Sequence, residues 1–137
     1  MTSRLNPYLS FDGDARQAME FYEEVLGGTL TLNTFRAAGM PDGAYTDKIM
    51  HGLLETSGGF TLMASDTPPG MERSTGSNFS VSLSGDDASD LRGYWEKLSA
   101  GGTVDVPLEK QMWGDVFGMC RDRAGVPWMV DISEPAG

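Results

Sequence analysis

The chain repeats itself, and that repeat constrains its fold more than any other feature. Asn6-Pro7-Tyr8-Leu9-Ser10-Phe11 and Asn78-Phe79-Ser80-Val81-Ser82-Leu83 alternate in the same phase, as half-buried strands do. Each is followed by a turn and a helix start, Asp12-Gly13-Asp14-Ala15 and Gly85-Asp86-Asp87-Ala88. The first helix is predicted from Asp14 to Leu26. Ala15, Ala18, Met19, Tyr22, Val25 and Leu26 fall on one face at helical spacing. Asp14 with Gln17 reads as an N-cap pair, and Gly27-Gly28 as the stop. The second helix is predicted from Asp87 to Ser99, with a stripe of Ala88, Leu91, Trp95 and Leu98 and a stop at Gly101-Gly102. Ala15, Ala18, Tyr22 and Val25 match Ala88, Leu91, Trp95 and Leu98 at an offset of 73 residues.

Three more strands complete each copy. They are expected at Thr29–Phe35, Ile49–Thr56 and Phe60–Ser65, then at Thr103–Leu108, Asp115–Arg121 and Val126–Ile132. Gly59 and Met63 match Gly125 and Met129 at an offset of 66 residues, so the first copy carries the longer internal loop, Ala37 to Tyr45. That loop, with Met40, Pro41 and Tyr45, is placed to close over a site or to reach a partner subunit. One such module is too small to bury both its helix and its sheet, whereas two together can. The reading is one α+β domain over 1–137, with module one at 5–66, a Pro/Gly/Ser/Thr-rich linker at 67–76 and module two at 77–133.

Charge narrows the partners. Twenty acidic against ten basic residues give a formal net charge of −10. Phosphate binding needs a basic footprint, so nucleic acid and anionic membrane surfaces are poor partners, while a cationic ligand is compatible. No apolar run approaches a membrane span or a signal peptide, and a single cysteine, Cys120, excludes an intramolecular disulfide and a cysteine-built zinc site. A soluble, cytoplasmic protein is expected. Cys120, on an alternating strand, reads as a buried inert thiol.

At this point the segments resemble a known family. Pro7-Tyr8-Leu9-Ser10-Phe11-Asp12-Gly13, Glu20-Phe21-Tyr22, Met50-His51, Ala100-Gly101-Gly102, Trp113-Gly114, Phe117-Gly118-Met119 and Trp128-Met129 look like the PhnB-like branch of the vicinal oxygen chelate superfamily. Glyoxalase I, fosfomycin-resistance proteins, extradiol dioxygenases and bleomycin-resistance proteins belong to that superfamily. The resemblance implies a glyoxalase-like fold: tandem βαβββ modules forming curved mixed sheets that enclose a cup, usually in a homodimer. Members of the branch sometimes carry a methyltransferase label, but no glycine-rich nucleotide motif is present here.

The resemblance also implies a divalent metal in the cup, held from the first and last strands of each module. The matching positions are Asn6 or Tyr8, Met63, Asn78 or Ser80, and Met129. Amide, hydroxyl and thioether groups poorly replace the carboxylates and imidazoles such an ion needs, so no metal and no cofactor are expected. His51, the only histidine, is the candidate general base, against the alternative of a structural ring; its counterpart is Phe117. Asp115 and Glu55 are candidate carboxylates near it. Tyr8, His51, Met63, Trp113 and Met129 are the candidate ligand-binding residues, an apolar lining with a few polar groups. The leading reading is metal-independent binding that sequesters or presents a small molecule. The alternatives are a lyase, isomerase, transferase or dioxygenase using a metal or His51, and an interaction module whose dimer surface matters most.

Overall fold

A computed structural model describes residues 5–40, 43–67 and 79–133. The chain forms two compact units, Met1–Thr75 and Gly76–Gly137. The first contains β1 (Tyr8–Phe11), α1 (Ala15–Leu26), β2 (Thr29–Thr34), β3 (Ile49–Glu55) and β4 (Thr61–Asp66). The second contains β5 (Val81–Gly85), α2 (Ala88–Ser99), β6 (Thr103–Lys110), β7 (Val116–Arg121) and β8 (Pro127–Ile132). The sheets have the same order, β1-β4-β3-β2 and β5-β8-β7-β6. In each, the first strand pairs parallel with the last and the other neighbours run antiparallel. The α+β, doubled βαβββ architecture expected from the repeat is therefore present. The linker expected at 67–76 lies, apart from Thr67, outside the described residues.

Each helix covers one face of its own sheet. In module one Ala15, Ala18, Met19, Phe21, Tyr22 and Val25 of α1 are buried, with Leu9, Phe11, Leu54, Leu62 and Ala64 of the sheet. In module two Leu91, Trp95 and Leu98 of α2 are buried, with Leu83, Cys120, Trp128, Val130 and Ile132. Strand alternation sends every second side chain to the helix-free face, which each module keeps for other purposes.

Four local readings need correction. Asp14 makes no side-chain cap bond to α1. The buried Asp66 at the end of β4 does so instead: its Oδ1 accepts from the Gly13 and Ala15 N–H groups at 2.8 and 3.0 Å, and its Oδ2 from Ile49 N–H at 2.9 Å. A helix-start donor can be satisfied by any acceptor that reaches it, and here a carboxylate distant in sequence wins. Ala88, placed on the apolar stripe of α2, is exposed, because it opens the helix before the packed turn begins. Phe60, assigned to the core, is 39% exposed, because β4 begins only at Thr61 and Phe60 belongs to the preceding turn.

The fourth correction concerns the repeat register. Leu9 lies opposite Ala64 and Leu83 opposite Val130, so Leu9 corresponds to Leu83 and Tyr8 to Ser82. The two first strands thus match two residues further along than the sequence comparison placed them. The slip is even, so the assignment of faces survives it. Its source is the connection to the helix: module one uses Asp12, Gly13 and Asp14 where module two uses Asp86 and Asp87.

Candidate functional site

On the helix-free face of module one, pairing brings Tyr8 of β1 opposite Met63 of β4, and Met63 opposite Leu53 of β3. His51, two residues from Leu53, lies on the same face opposite Asn33 of β2. The Tyr8 and His51 rings stack with centroids 6.0 Å apart and planes at 29°. Three of the five expected ligand-binding residues therefore meet. Tyr8 is 52% exposed and His51 and Met63 are half-buried, so the group is an open, ring-lined surface. A bulge shapes it. Asn33 faces His51 but Thr34 faces Ile49, so Met50 is an extra residue. The bulge lets Ile49 enter the core while His51 stays on the open face.

The carboxylates proposed near His51 do not gather there within this module. Glu55 is four residues further along β3, about 13 Å away at the usual strand rise, and pairs with Thr29 and Thr61. Asp115 belongs to the second unit, where its neighbour is Asp131. The expected long loop is tied to its own module where described: the Tyr45 hydroxyl donates to Asp12 Oδ1 at 3.4 Å and, just beyond the loop, Lys48 Nζ donates to Gly13 O at 3.0 Å. Pro41 lies outside the described residues.

Module two holds the other two expected residues. Met129 lies between Ser82 of β5 and Met119 of β7, on the face that α2 does not cover. Trp113 projects from the β6–β7 hairpin, which Gln111 and Gly114 close through Gln111 N to Asp115 O and Gly114 N to Gln111 O, at 2.8 and 3.0 Å. Gly114 has φ of 106°, a conformation that favours glycine at this turn. The indole meets Phe117 edge-on at 5.8 Å and 62°. Asp131 lies opposite Phe117 on the same face. Burial, then the neighbouring Asp115 carboxyl, holds Asp131 above the ordinary carboxylate value. The earlier reading placed Asp131 inward but gave it no role. The signal available in sequence was its offset of 66 residues from Ser65, an acid where the sister module has a hydroxyl.

Cys120 is buried, and burial followed by Asp122 and Asp105 pushes its thiol up to about 11. A thiol so poor in thiolate is a packing residue rather than a nucleophile.

The metal reading can be tested on the donors themselves. In structural register the positions equivalent to the superfamily's ligands are Tyr8 with Met63, and Ser82 with Met129; Ser82 replaces the expected Asn78 or Ser80. Two thioethers, a phenol and a hydroxyl do not fit a hard or borderline divalent ion. Among the described residues, no three His, Cys, Asp or Glu side chains converge on a point.

Two βαβββ modules of identical strand order, each with one helix-packed face and one open face, define the tandem βαβββ class of proteins. Residues 4–130 match the Glyoxalase/Bleomycin resistance protein/Dioxygenase superfamily, and the chain belongs to that family. It is 26% identical over 141 residues to protein YjdN of Escherichia coli, covering 93% of this chain and 94% of that one. The crystal structure of protein PA1353 from Pseudomonas aeruginosa is similar with a TM-score of 0.83 and 36% identity, over 97% of this chain and 99% of that one. A Bacillus cereus structure described as a putative 3-demethylubiquinone-9 3-methyltransferase, PhnB protein, shares the fold with a TM-score of 0.73 at 18% identity, over 96% and 100% of the two chains. No described helix is long and apolar enough to cross a membrane.

Proposed function

We propose that this protein is a PhnB-like small-molecule-binding member of the superfamily that holds its ligand against the open sheet faces without a resident divalent metal. The observation that carries the reading is the donor set: Tyr8, Met63, Ser82 and Met129 stand where the superfamily places metal ligands. Rings, thioethers and scattered hydroxyls suit a partly apolar organic molecule and leave a cation under-coordinated. The Bacillus cereus PhnB protein's likeness in fold supports the branch. Elemental mass spectrometry on untagged, natively purified protein tests it. Less than about 0.1 equivalent of any divalent transition metal is expected, and close to one equivalent would overturn the reading.

The stacking of His51 on Tyr8 favours a second reading, in which the imidazole is a general base on the open face. Turnover abolished by His51→Ala, with an unchanged melting curve, would establish it. Binding in the absence of turnover supports the first.

A further inference from the structure

Module two carries a group of side chains that its sister module lacks and that the fold does not require. Phe117 and Asp131 are cross-strand partners, and Trp113 packs edge-on against Phe117 while remaining 59% exposed. Asp115, two residues before Phe117 and so on the same face, lies within hydrogen-bonding reach of Asp131. Ser84 is the neighbour of Asp131 on the other side. Asp131 Oδ1 is closed to solvent yet has no hydrogen-bond partner among the described residues. A buried, unsatisfied oxygen is costly, and two adjacent carboxyls add repulsion to that cost. At the matching position module one has Ser65 in the same strand order, so the architecture stands without a carboxylate there.

Resting on the small-molecule-binding reading above, we propose that the helix-free face of module two receives an organic ammonium group. Its charge is set against Asp131 and Asp115, and its alkyl groups lie on Trp113 and Phe117. The ring faces attract an alkylated cation, and the carboxyls gain the counter-charge they lack. A bare metal ion fits less well, because no third acidic, imidazole or thiol ligand joins the two carboxyls among the described residues. The net charge of −10 also draws cations toward the chain.

Titration of the full chain with choline, its uncharged isostere 3,3-dimethylbutan-1-ol, and benzoate tests the proposal, followed by calorimetry and by indole fluorescence. Saturable choline binding is expected, with the alcohol at least about tenfold weaker. Trp113→Ala and Asp131→Asn should each weaken choline about tenfold while leaving a cooperative melting curve. The assignment is overturned if the alcohol binds as tightly as choline, if neither substitution changes choline affinity, or if choline shows no saturation up to about 10 mM. Binding of benzoate or the alcohol without choline overturns the cationic class and leaves small-molecule binding standing. Small-molecule binding itself fails separately, on the metal content.

Discussion

The two modules share strand order and helix placement but differ in how they hold their turns and what they place on their open faces. Module one anchors the start of α1 with Asp66; the corresponding residue in module two is the buried Ile132, and α2 begins with local bonds from Ala88 N to Asp86 O and from Leu91 N to Asp87 O. At the last hairpin the positions exchange character. Module one closes it with the Thr56 hydroxyl, which accepts from Phe60 N–H at 2.9 Å. Module two uses the buried Asp122, whose Oδ1 accepts from Ala124 and Val126 N–H and whose Oδ2 accepts from Trp128 Nε1 at 2.8 Å. Each module thus contains one buried carboxylate that joins three donors, at a different corner. The repeat preserves the sheet and helix, while capping chemistry can migrate wherever an acceptor reaches the same class of unpaired donor.

The largest test of this difference is at those carboxylates. Asp66→Ala leaves three backbone N–H groups without their acceptor and should destabilise the protein by about 3–5 kcal/mol in urea denaturation. Asp122→Ala should cost less, about 2–3 kcal/mol, because the Ala124 N–H in its turn can rotate to water. Equal costs would mean that the position of the anchor is immaterial.

Gly52 and Gly118 are equivalent positions beneath the two helices, yet their surroundings differ. A Cβ on Gly118 would lie 2.8 Å from the Trp95 ring and 3.0 Å from the Leu108 Cα. A Cβ on Gly52 would lie 3.1 Å from the end of the Leu32 side chain, which can move. Gly118→Ala should therefore cost about 1–3 kcal/mol and Gly52→Ala less than about 1 kcal/mol. The reverse order in chemical denaturation would show that the backbone beside Gly118 yields more easily than the leucine.

The smallest effect is expected at Asp131, where module one has Ser65. A carboxyl held above its ordinary value of 3.8 costs stability where it is ionised and costs nothing well below 3.8, where folded and unfolded chains both carry the proton. Asp131→Asn should raise the melting temperature at pH 7, and the gain should fade as the pH falls toward 3.8. A pH-independent difference would mean that the effect comes from packing instead of charge.

The sequence by itself determined the doubled βαβββ order, the two helix stripes and the assignment of most strand faces, because each is written in local periodicity. The helix starts at Ala15 and Ala88 fall one residue from their predicted positions. Tyr8, His51 and Met63 were legible as one face for the same reason. Only the tertiary structure decided what depends on residues distant in sequence. Asp66 reaching back to Gly13 and Ala15 looked like the end of a strand, and the bulge at Met50 appears only when β2 and β3 pair. The Asp115 and Asp131 neighbourhood was likewise hidden, since cross-strand register places Asp131 against Phe117 and no periodicity within β7 or β8 encodes that register.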